Sequence, residues 1–317
     1  MHKLLETILA CPGCHGRLSR QAEALCCTQD HCRASPRRWP IVRGVPVLFD
    51  ESKSFFRISD GVANPGAQGR SLWWRRLSRI WYTRPKIGRN VAAERNYQHL
   101  GRLLHGVQDA VVLVVGCGDE GIGIHRLHTL PNVTLVNLDI RWTASVHLMA
   151  DAQQLPFADE TFDAVVLQGV LEHVLDIFQV ETEVFRTLKA EGVVYCELPF
   201  LQPNHGGAFD LTRLTWTGHR RFWRRFIQLD AGACCGPGMA LATMVQQFAR
   251  ALLPFRSWRI FSDWLVDWLF WWLKYLDGRL TKHAAGLDGA SAFYFLGRKS
   301  DQVLSDRELI AAYRGGQ

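Results

Sequence analysis

The stretch of residues 111–140 constrains the fold of this chain more than any other. It reads VVLVVGCGDEGIGIHRLHTLPNVTLVNLDI: a valine-rich run, a glycine turn, a segment with helical potential, and a second apolar run ending at Asp139. This order predicts a strand, a tight turn, a helix and a strand. Glycines let the backbone approach a ligand closely, the next helix presents its N-terminus there, and the acid can accept hydrogen bonds from ribose hydroxyls. The stretch therefore predicts a site for a nucleoside-containing cofactor.

The glycine turn alone does not identify the cofactor. Residues 116–121 read GCGDEG, which satisfies the G-x-G-x-x-G spacing of nicotinamide and flavin proteins. The following residues narrow the choice. Residues 147–152 predict a third strand, and residues 155–168 predict a short loop and then a fourth strand, with almost no room for a full crossover helix. Residues 192–199 predict a fifth strand, so the carboxyl ends of parallel strands should build a cleft at one edge of a sheet.

Composition excludes a disordered chain, because 48% of the 317 residues are hydrophobic and 21% are charged. The net charge of +7 is concentrated in one segment: residues 51–90 hold nine Lys/Arg and two acids, a surplus of 9 − 2 = 7. Within it, residues 71–82 interleave tryptophan with arginine and predict a short amphipathic helix. Such a helix suits an anionic membrane surface, nucleic acid, or a linker docked on a neighbouring domain.

The N-terminal cysteines predict a metal site. Cys11-Pro-Gly-Cys14 is a knuckle whose two thiolates can hold one tetrahedral zinc ion. Cys32 supplies a third ligand, and Cys27 is favoured over Cys26 as the remaining ligand because its loop is more compact. His15 and His31 lie close enough in sequence to replace one thiolate, and buried free thiols are the alternative.

Paired cysteines in a chain of this length are typical of a reducing compartment, so we expect a cytoplasmic protein. The opening LLETILAC at residues 4–11 contains Glu6 and too short an apolar run for a signal peptide.

Residues 4–49 resemble a known module. The pattern LLxxILACPxC, a second cysteine pair and a WPI-xxGxPVL ending are similar to the zinc ribbon of the small activating subunit of tRNA and translation-factor methyltransferases. The second knuckle, CCTQDHC, departs from that family by an extra cysteine and a longer gap. The resemblance implies a structural Zn²⁺ held by four ligands: Cys11, Cys14, Cys27 and Cys32.

A second resemblance covers residues 111–199. VGCG at 115–118, ADAQQLPFADETFDAV at 150–165, VLEHV at 170–174 and the proline at 199 resemble class I S-adenosylmethionine-dependent methyltransferases. The resemblance implies that the backbone at Gly116 and Gly118 passes close to the methionine moiety of the cofactor and that Asp139 holds its ribose. It also places Asp151 and the Ala152 backbone at the adenine and Gln168 at the rim of the methyl-transfer site.

Two positions within this resemblance leave alternatives open. The family usually carries an acid two residues before the first glycine, where this chain has Val114. That departure allows weakened cofactor binding or a non-catalytic relative. Glu172 and His173 pair an acid with an imidazole, but in this family they mostly shape the loop and cap the helix.

The loop after the predicted fifth strand carries the candidate acceptor site. Its pattern H-x4-D-x2-R-x-T is similar to methyltransferases encoded with glycan and cell-envelope biosynthesis enzymes. His205 could remove a proton from the acceptor, and Asp210 could orient this histidine or bind a hydroxyl. Arg213 could bind an anionic group. The alternative is that Asp210 and Arg213 form an ion pair that fixes the loop.

Residues 236–287 predict a tryptophan-rich insertion before a last strand near residues 292–297. Asp263 and Asp267 interrupt its apolar run, so it should not cross a bilayer. It could lie in the membrane interface, cover the site, or form a buried or dimer-forming helical pair.

Together these patterns predict an α/β protein with a Rossmann-like, seven-stranded, mostly parallel sheet and helices on both faces. The expected parts are a zinc ribbon (1–50), a basic linker (51–90), a methyltransferase domain (91–300) and a tail (301–317). The expected reaction is methyl transfer from S-adenosylmethionine to an oxygen or nitrogen of a small-molecule, lipid-linked or cell-envelope glycan acceptor. RNA or protein methylation is the alternative, and peripheral contact at the inner face of the membrane through the insertion is a further expectation.

Overall fold

The computed structural model describes residues 3–32, 38–59, 85–118 and 121–316. The N-terminal part is a short helix, α1, followed by a four-stranded antiparallel sheet in the order β1-β2-β3-β4. Its elements are α1 (Lys3–Ile8), β1 (Leu18–Gln21), β2 (Ala24–Cys27), β3 (Arg38–Val42) and β4 (Val45–Pro46). The predicted basic helix at residues 71–82 lies outside the described residues.

The central sheet has seven strands in the order β10-β11-β9-β8-β5-β6-β7. Its first five strands in sequence pair in parallel, whereas β11 runs antiparallel to both of its neighbours. The strands are β5 (Ala110–Val115), β6 (Val133–Asp139), β7 (Leu148–Met149), β8 (Phe162–Gln168), β9 (Leu188–Pro199), β10 (Phe226–Cys235) and β11 (Ala292–Lys299). The predicted Rossmann-like, mostly parallel sheet is confirmed.

Helices cover both faces of this sheet. Leu113 and Val115 of β5 belong to one apolar core, and Val112 and Val114 belong to the other, because successive strand residues point to opposite faces. The helices are α2 (Ala93–Leu104), α3 (His125–His128), α4 (Ile177–Thr187), α5 (Trp216–Phe222), α6 (Pro237–Leu252), α7 (Arg256–Phe270), α8 (Leu273–Leu280), α9 (Ala284–Asp288) and α10 (Asp306–Ala311).

Several elements differ in extent from the sequence prediction. The third strand shrinks to Leu148–Met149, since only these residues pair with β6. The helix expected from residue 169 begins as a single 3₁₀ turn, Leu171–His173. The α-helix proper starts after Asp176, whose carboxylate accepts the N–H groups of Phe178 and Gln179 as an N-cap.

The predicted insertion forms helices α6–α9 between β10 and β11. Among the described helices, none is both long and apolar enough to cross a bilayer.

The N-terminal part is packed against the central sheet. Val47 pairs in parallel with Met149 at the β7 edge, and the Leu48 N–H donates to the Met149 carbonyl at 2.8 Å. On the other side, Leu9 bridges Phe157. The short β7 strand is therefore not a bare edge, because the ribbon continues its hydrogen bonding.

Candidate active site

The glycine turn after β5 leaves room for a ligand beside the backbone. Gly116 and Gly118 have φ angles of +66° and +47°, a region that favours glycine. A Cβ on Gly116 would lie only 2.5 Å from the Cγ2 of Val170. The turn therefore needs glycine both for its backbone conformation and for its close approach to the neighbouring loop.

Two acids mark the ends of the next strands, as predicted. Asp139 is buried at the end of β6, where its carboxylate accepts the N–H of Gly118 and the N–H of Arg141, each at 2.9 Å. Asp151 accepts the Gln153 N–H at 2.9 Å and the Ser54 hydroxyl at 2.5 Å. Neighbouring donors within the protein thus orient both carboxylates.

These residues line one cleft with a volume of about 540 Å³. That volume lies within the roughly 300–1,000 Å³ typical of small-molecule sites. Residues from the glycine turn, both acids and the loop after β9 share its wall. The lining includes the predicted residues Gly116, Gly118, Asp139, Asp151, Ala152 and His205.

An aromatic wall of the cleft comes from the segment after the ribbon. Phe55 and Phe56 line the cleft and stack on Phe209, with ring centroids 5.5 and 5.9 Å apart. Sequence reasoning assigned residues 51–90 to a linker and missed this contribution. The adjacent pair of phenylalanines directly after the ribbon was the available signal.

Gln168 is not among the residues that line this cleft, although it was expected at the rim. Its amide donates to the Ile122 carbonyl at 3.2 Å and to the Glu197 carboxylate at 2.9 Å. Glu197 also accepts a hydrogen bond from Asn90, and burial raises the pKa of this carboxyl. Gln168 therefore helps satisfy a buried acid behind the cleft.

Three polar side chains meet where the loop after β9 approaches the cleft. One ligand atom from each of Glu172, His173 and His205 lies within 4.8 Å of the others. Nε2 of His205 is 3.6 Å from Glu172 Oε1, and the His173 Nδ1 is 2.7 Å from the Phe209 carbonyl oxygen. Glu172 is 2% exposed, and its Oε2 has no hydrogen-bond partner.

The histidine of this cluster has an altered pKa. The hydrogen bond that the His205 imidazole donates to the Glu172 carboxylate raises the pKa of His205, and the charge of nearby Asp210 acts in the same direction against partial desolvation. The cluster can therefore hold a proton next to the cleft. Two imidazoles and a carboxylate could also hold a divalent cation.

Asp210 and Arg213 contact each other rather than the cleft. Both Asp210 carboxylate oxygens accept from the Arg213 guanidinium, and Asp210 also accepts the His205 N–H at 2.9 Å. The hydrogen bonds from Arg213 hold the pKa of Asp210 well below its usual range. Neither residue is among those that line the cleft, so this geometry favours the loop-fixing alternative.

Comparison with known proteins agrees with this site. Residues 113–196 match the family described as "Methyltransferase domain", which covers the glycine turn and both acids. The chain contains a class I methyltransferase domain. The match is confined to the central strands, so the ribbon, the loop after β9 and the helical insertion lie outside it.

Two curated relatives are also named as methyltransferases. Demethylmenaquinone methyltransferase from Roseiflexus sp. (strain RS-1) is 30% identical over 149 residues, which are 47% of this chain and 59% of the relative. The enzyme of the same name from Roseiflexus castenholzii matches with the same identity and coverage. The chain thus spans less than two thirds of the length of these relatives.

Solved structures that resemble this chain are less similar to it in sequence than the curated relatives are. A candidate sarcosine dimethylglycine methyltransferase from Galdieria sulphuraria is 16% identical, with a TM-score of 0.44, covering 72% of this chain and 98% of that one. Phosphoethanolamine N-methyltransferase 2 from Haemonchus contortus, with bound phosphomonomethylethanolamine and S-adenosylhomocysteine, is 14% identical, with a TM-score of 0.40. The aligned region covers 71% of this chain and 59% of the Haemonchus contortus chain.

Outside the methyltransferase domain, the ribbon gathers four cysteines. The Sγ atoms of Cys11, Cys14, Cys27 and Cys32 all lie within 4.8 Å of one another. Cys11 and Cys32 are 3.7 Å apart, and Cys14 and Cys27 are 3.6 Å apart. These spacings and the all-thiol donor set fit one tetrahedral ion such as zinc. Cys26 is not part of the cluster, so the geometry selects Cys27.

Val114 lies where the resemblance leads one to expect an acid. Its side chain is buried in the apolar layer that contains Tyr97 and Leu100 of α2. An acid at this position would be buried and would need a polar partner, whereas valine does not.

Proposed function

We propose that this protein transfers a methyl group from S-adenosylmethionine to an oxygen or nitrogen of a small-molecule acceptor, with lipid-linked and cell-envelope glycan acceptors included. The single observation that carries the proposal is the shared cleft. It joins the glycine turn and two oriented acids on one side to a histidine with a raised pKa on the other. The naming of the curated relatives for demethylmenaquinone supports a small-molecule class.

The cofactor half of the cleft is assigned to the two acids and the turn. Asp139 would accept the ribose hydroxyls, and Asp151 with the Ala152 backbone would meet the adenine. Gly116 and Gly118 leave space for the methionine moiety. When bound, S-adenosylmethionine supplies an activated methyl group on a sulfonium, so alignment of the acceptor provides much of the rate.

The acceptor half is assigned to His205. Its imidazole would take the proton that an acceptor hydroxyl or amine loses on methylation, and it would hold that proton at Nε2 beside Glu172. Asp210 and Arg213 would fix the loop that carries this histidine. His205 alone would then face the acceptor, with the other two acting as positioning residues.

We also propose that the four-cysteine cluster holds one structural Zn²⁺. Four thiolates leave no open coordination position, so the ion would stabilise the ribbon without entering the reaction.

Calorimetric titration with S-adenosylmethionine tests the cofactor half. We expect binding by the wild-type protein and none by Asp139→Ala, because that substitution removes the carboxylate that would hold the ribose. Asp301→Ala replaces an acid on the exposed surface after β11 and should bind normally. A folded wild-type protein that shows no affinity for the cofactor would overturn the proposal.

The acceptor class requires a separate experiment. The purified protein and cofactor with a labelled methyl group are incubated with extract from cells that lack the protein. We expect label in small-molecule, lipid or glycan fractions. Label in RNA or protein would replace our acceptor class with the macromolecular alternative, in which the arginine-rich segment at residues 71–82 contacts the substrate.

A further inference from the structure

The insertion contains an antiparallel helical hairpin, formed by α6 and α7 and here called the insertion hairpin. Arg250 near the end of α6 pairs with Asp263, with both nitrogen–oxygen distances at 2.7 Å. One turn back on α6, the Gln246 amide donates to Asp267 at 3.2 Å, one turn further along α7. The reversed order of these partners shows that the helices run in opposite directions.

The seam between the two helices is polar. Asp263 and Asp267 are buried on the face of α7 that meets α6, and Val266 is buried between them in sequence. At the base of the hairpin, buried Asp277 accepts the N–H groups of Gly238 and Met239 at the start of α6. The polar side chains of the hairpin thus satisfy one another inside it.

The outer faces of the hairpin are apolar. Side chains three or four residues apart form one exposed stripe on each helix, roughly opposite the polar seam. Their exposed fractions run from 41 to 67%. The stripes comprise Leu241, Met244, Phe248 and Leu252 on α6, and Trp258, Phe261, Leu265, Trp268 and Leu269 on α7.

This arrangement is inverted relative to a hairpin that folds in water. In water, burial of apolar area is the main favourable term, so apolar faces should meet inside. A surface of this size on a water-exposed protein marks a site of interaction. The apolar stripes therefore require a partner that surrounds the hairpin on two sides.

The tip of the hairpin continues both stripes. Leu252, Phe255 and Trp258 are exposed around the connection between the helices. A helix of 16 residues such as α6 is about 24 Å long, too short for a bilayer core of about 30 Å. The hairpin can enter one leaflet without crossing the membrane.

The exposed charged side chains of helices α6–α9 and their connections are all positive. Arg256, Arg259, Arg279 and Lys282 are exposed, whereas the carboxylates of α6–α9 are buried or half-buried and bonded within the protein. An anionic surface complements this pattern.

We propose that the insertion hairpin enters the interface of an anionic phospholipid bilayer tip first. Tryptophan side chains lie at the level of the headgroups, the arginines contact lipid phosphates, and the polar seam stays inside the hairpin. Membrane binding needs no cofactor, so this inference can be tested separately from methyl transfer.

Co-sedimentation of the full chain with lipid vesicles tests it. We expect binding to vesicles of phosphatidylcholine mixed with phosphatidylglycerol, and weaker binding to phosphatidylcholine alone. Replacing three tip residues together, Leu252→Ser, Phe255→Ser and Trp258→Ser, should lower the apparent partition coefficient on the order of a hundredfold.

Matched controls separate the tip from exposed apolar residues in general. Ile227→Ser, Val303→Ser and Ile310→Ser together change side chains of comparable exposure elsewhere and should leave binding unchanged. Arg256→Gln with Arg259→Gln should cost on the order of tenfold on the mixed vesicles and little on phosphatidylcholine.

Two results would overturn the proposal. One is a wild-type chain that does not sediment with the mixed vesicles and whose tryptophan emission is not quenched by brominated lipid, a readout that needs no substitution. The other is a wild-type dimer, seen by light scattering, that the three tip substitutions dissociate while vesicle binding stays absent. That result would make the hairpin an interface between copies of this chain.

Discussion

The ribbon and the insertion hairpin are both additions to the same methyltransferase domain, but the ribbon buries its apolar residues and the hairpin exposes them. The ribbon ends in Val47, Leu48 and Phe49, which are fully buried against the β7 edge of the sheet. The hairpin keeps its polar residues inside and exposes its apolar stripes. The ribbon thus completes the fold, whereas the hairpin presents a surface that needs a partner.

The two additions also differ in their relation to the cleft. The segment after the ribbon supplies Phe55 and Phe56 to the cleft wall and bonds Asp151 through Ser54. None of the described residues that line the cleft belongs to the hairpin. Changes in the ribbon should therefore affect both the stability of the whole domain and the shape of the cleft, and changes at the hairpin tip should affect neither.

The largest effect is expected from the four-cysteine cluster, where we propose that zinc binds. Cys27→Ser should remove most of the bound zinc and destabilise the protein by about 5 kcal/mol or more, because metal binding and folding are coupled in small zinc modules. Metal content by elemental analysis and calorimetric unfolding measure both effects. The matched control is Cys26→Ser, next to the cluster but outside it. Equal metal loss in both variants would contradict the four-cysteine assignment.

A pair of identical substitutions compares the two additions directly. Phe49→Ala should cost about 3–5 kcal/mol, since it leaves a cavity in a fully buried position. Phe255→Ala, at a position 60% exposed, should change the free energy of unfolding by less than about 0.5 kcal/mol. Chemical denaturation measures both. A large loss at Phe255 would show that the hairpin tip is packed in solution and would weaken the contrast.

The smallest effect concerns pH. Glu172 raises the pKa of His205 above its ordinary value of 6.5. The neutral, basic form of this histidine should therefore predominate only above the raised pKa, and the rate should rise as pH increases through that raised pKa. Glu172→Gln should move the inflection of the pH–rate profile to lower pH. Phe255→Ala should leave it in place.

The same pKa shift predicts a small effect on stability. His205 gains its carboxylate contacts in the folded protein, so this contribution is present at low pH and is lost as pH rises through the raised pKa. For the rate, a pH–rate profile whose inflection is unchanged in the Glu172→Gln variant would argue against His205 as the base.

Much of the cofactor half follows from local sequence. Glycines with positive φ and acids at strand ends are set by the chain around them, so the sequence alone points to Gly116, Gly118, Asp139 and Asp151. The sheet itself follows from the apolar periods of its strands. Gln168 illustrates the limit: it ends β8 as expected, but the buried Glu197 engages its side chain.

The sequence by itself determined the sheet, the glycine turn and the presence of a cysteine site. Tertiary structure decided between Cys26 and Cys27, since neighbouring residues of β2 point to opposite sides and only one side faces the other thiols. It also brought Phe55 to the cleft across a long separation in the chain. Finally, it revealed that the insertion is inverted, because helical periodicity shows that a helix has two faces but not which one its neighbour covers.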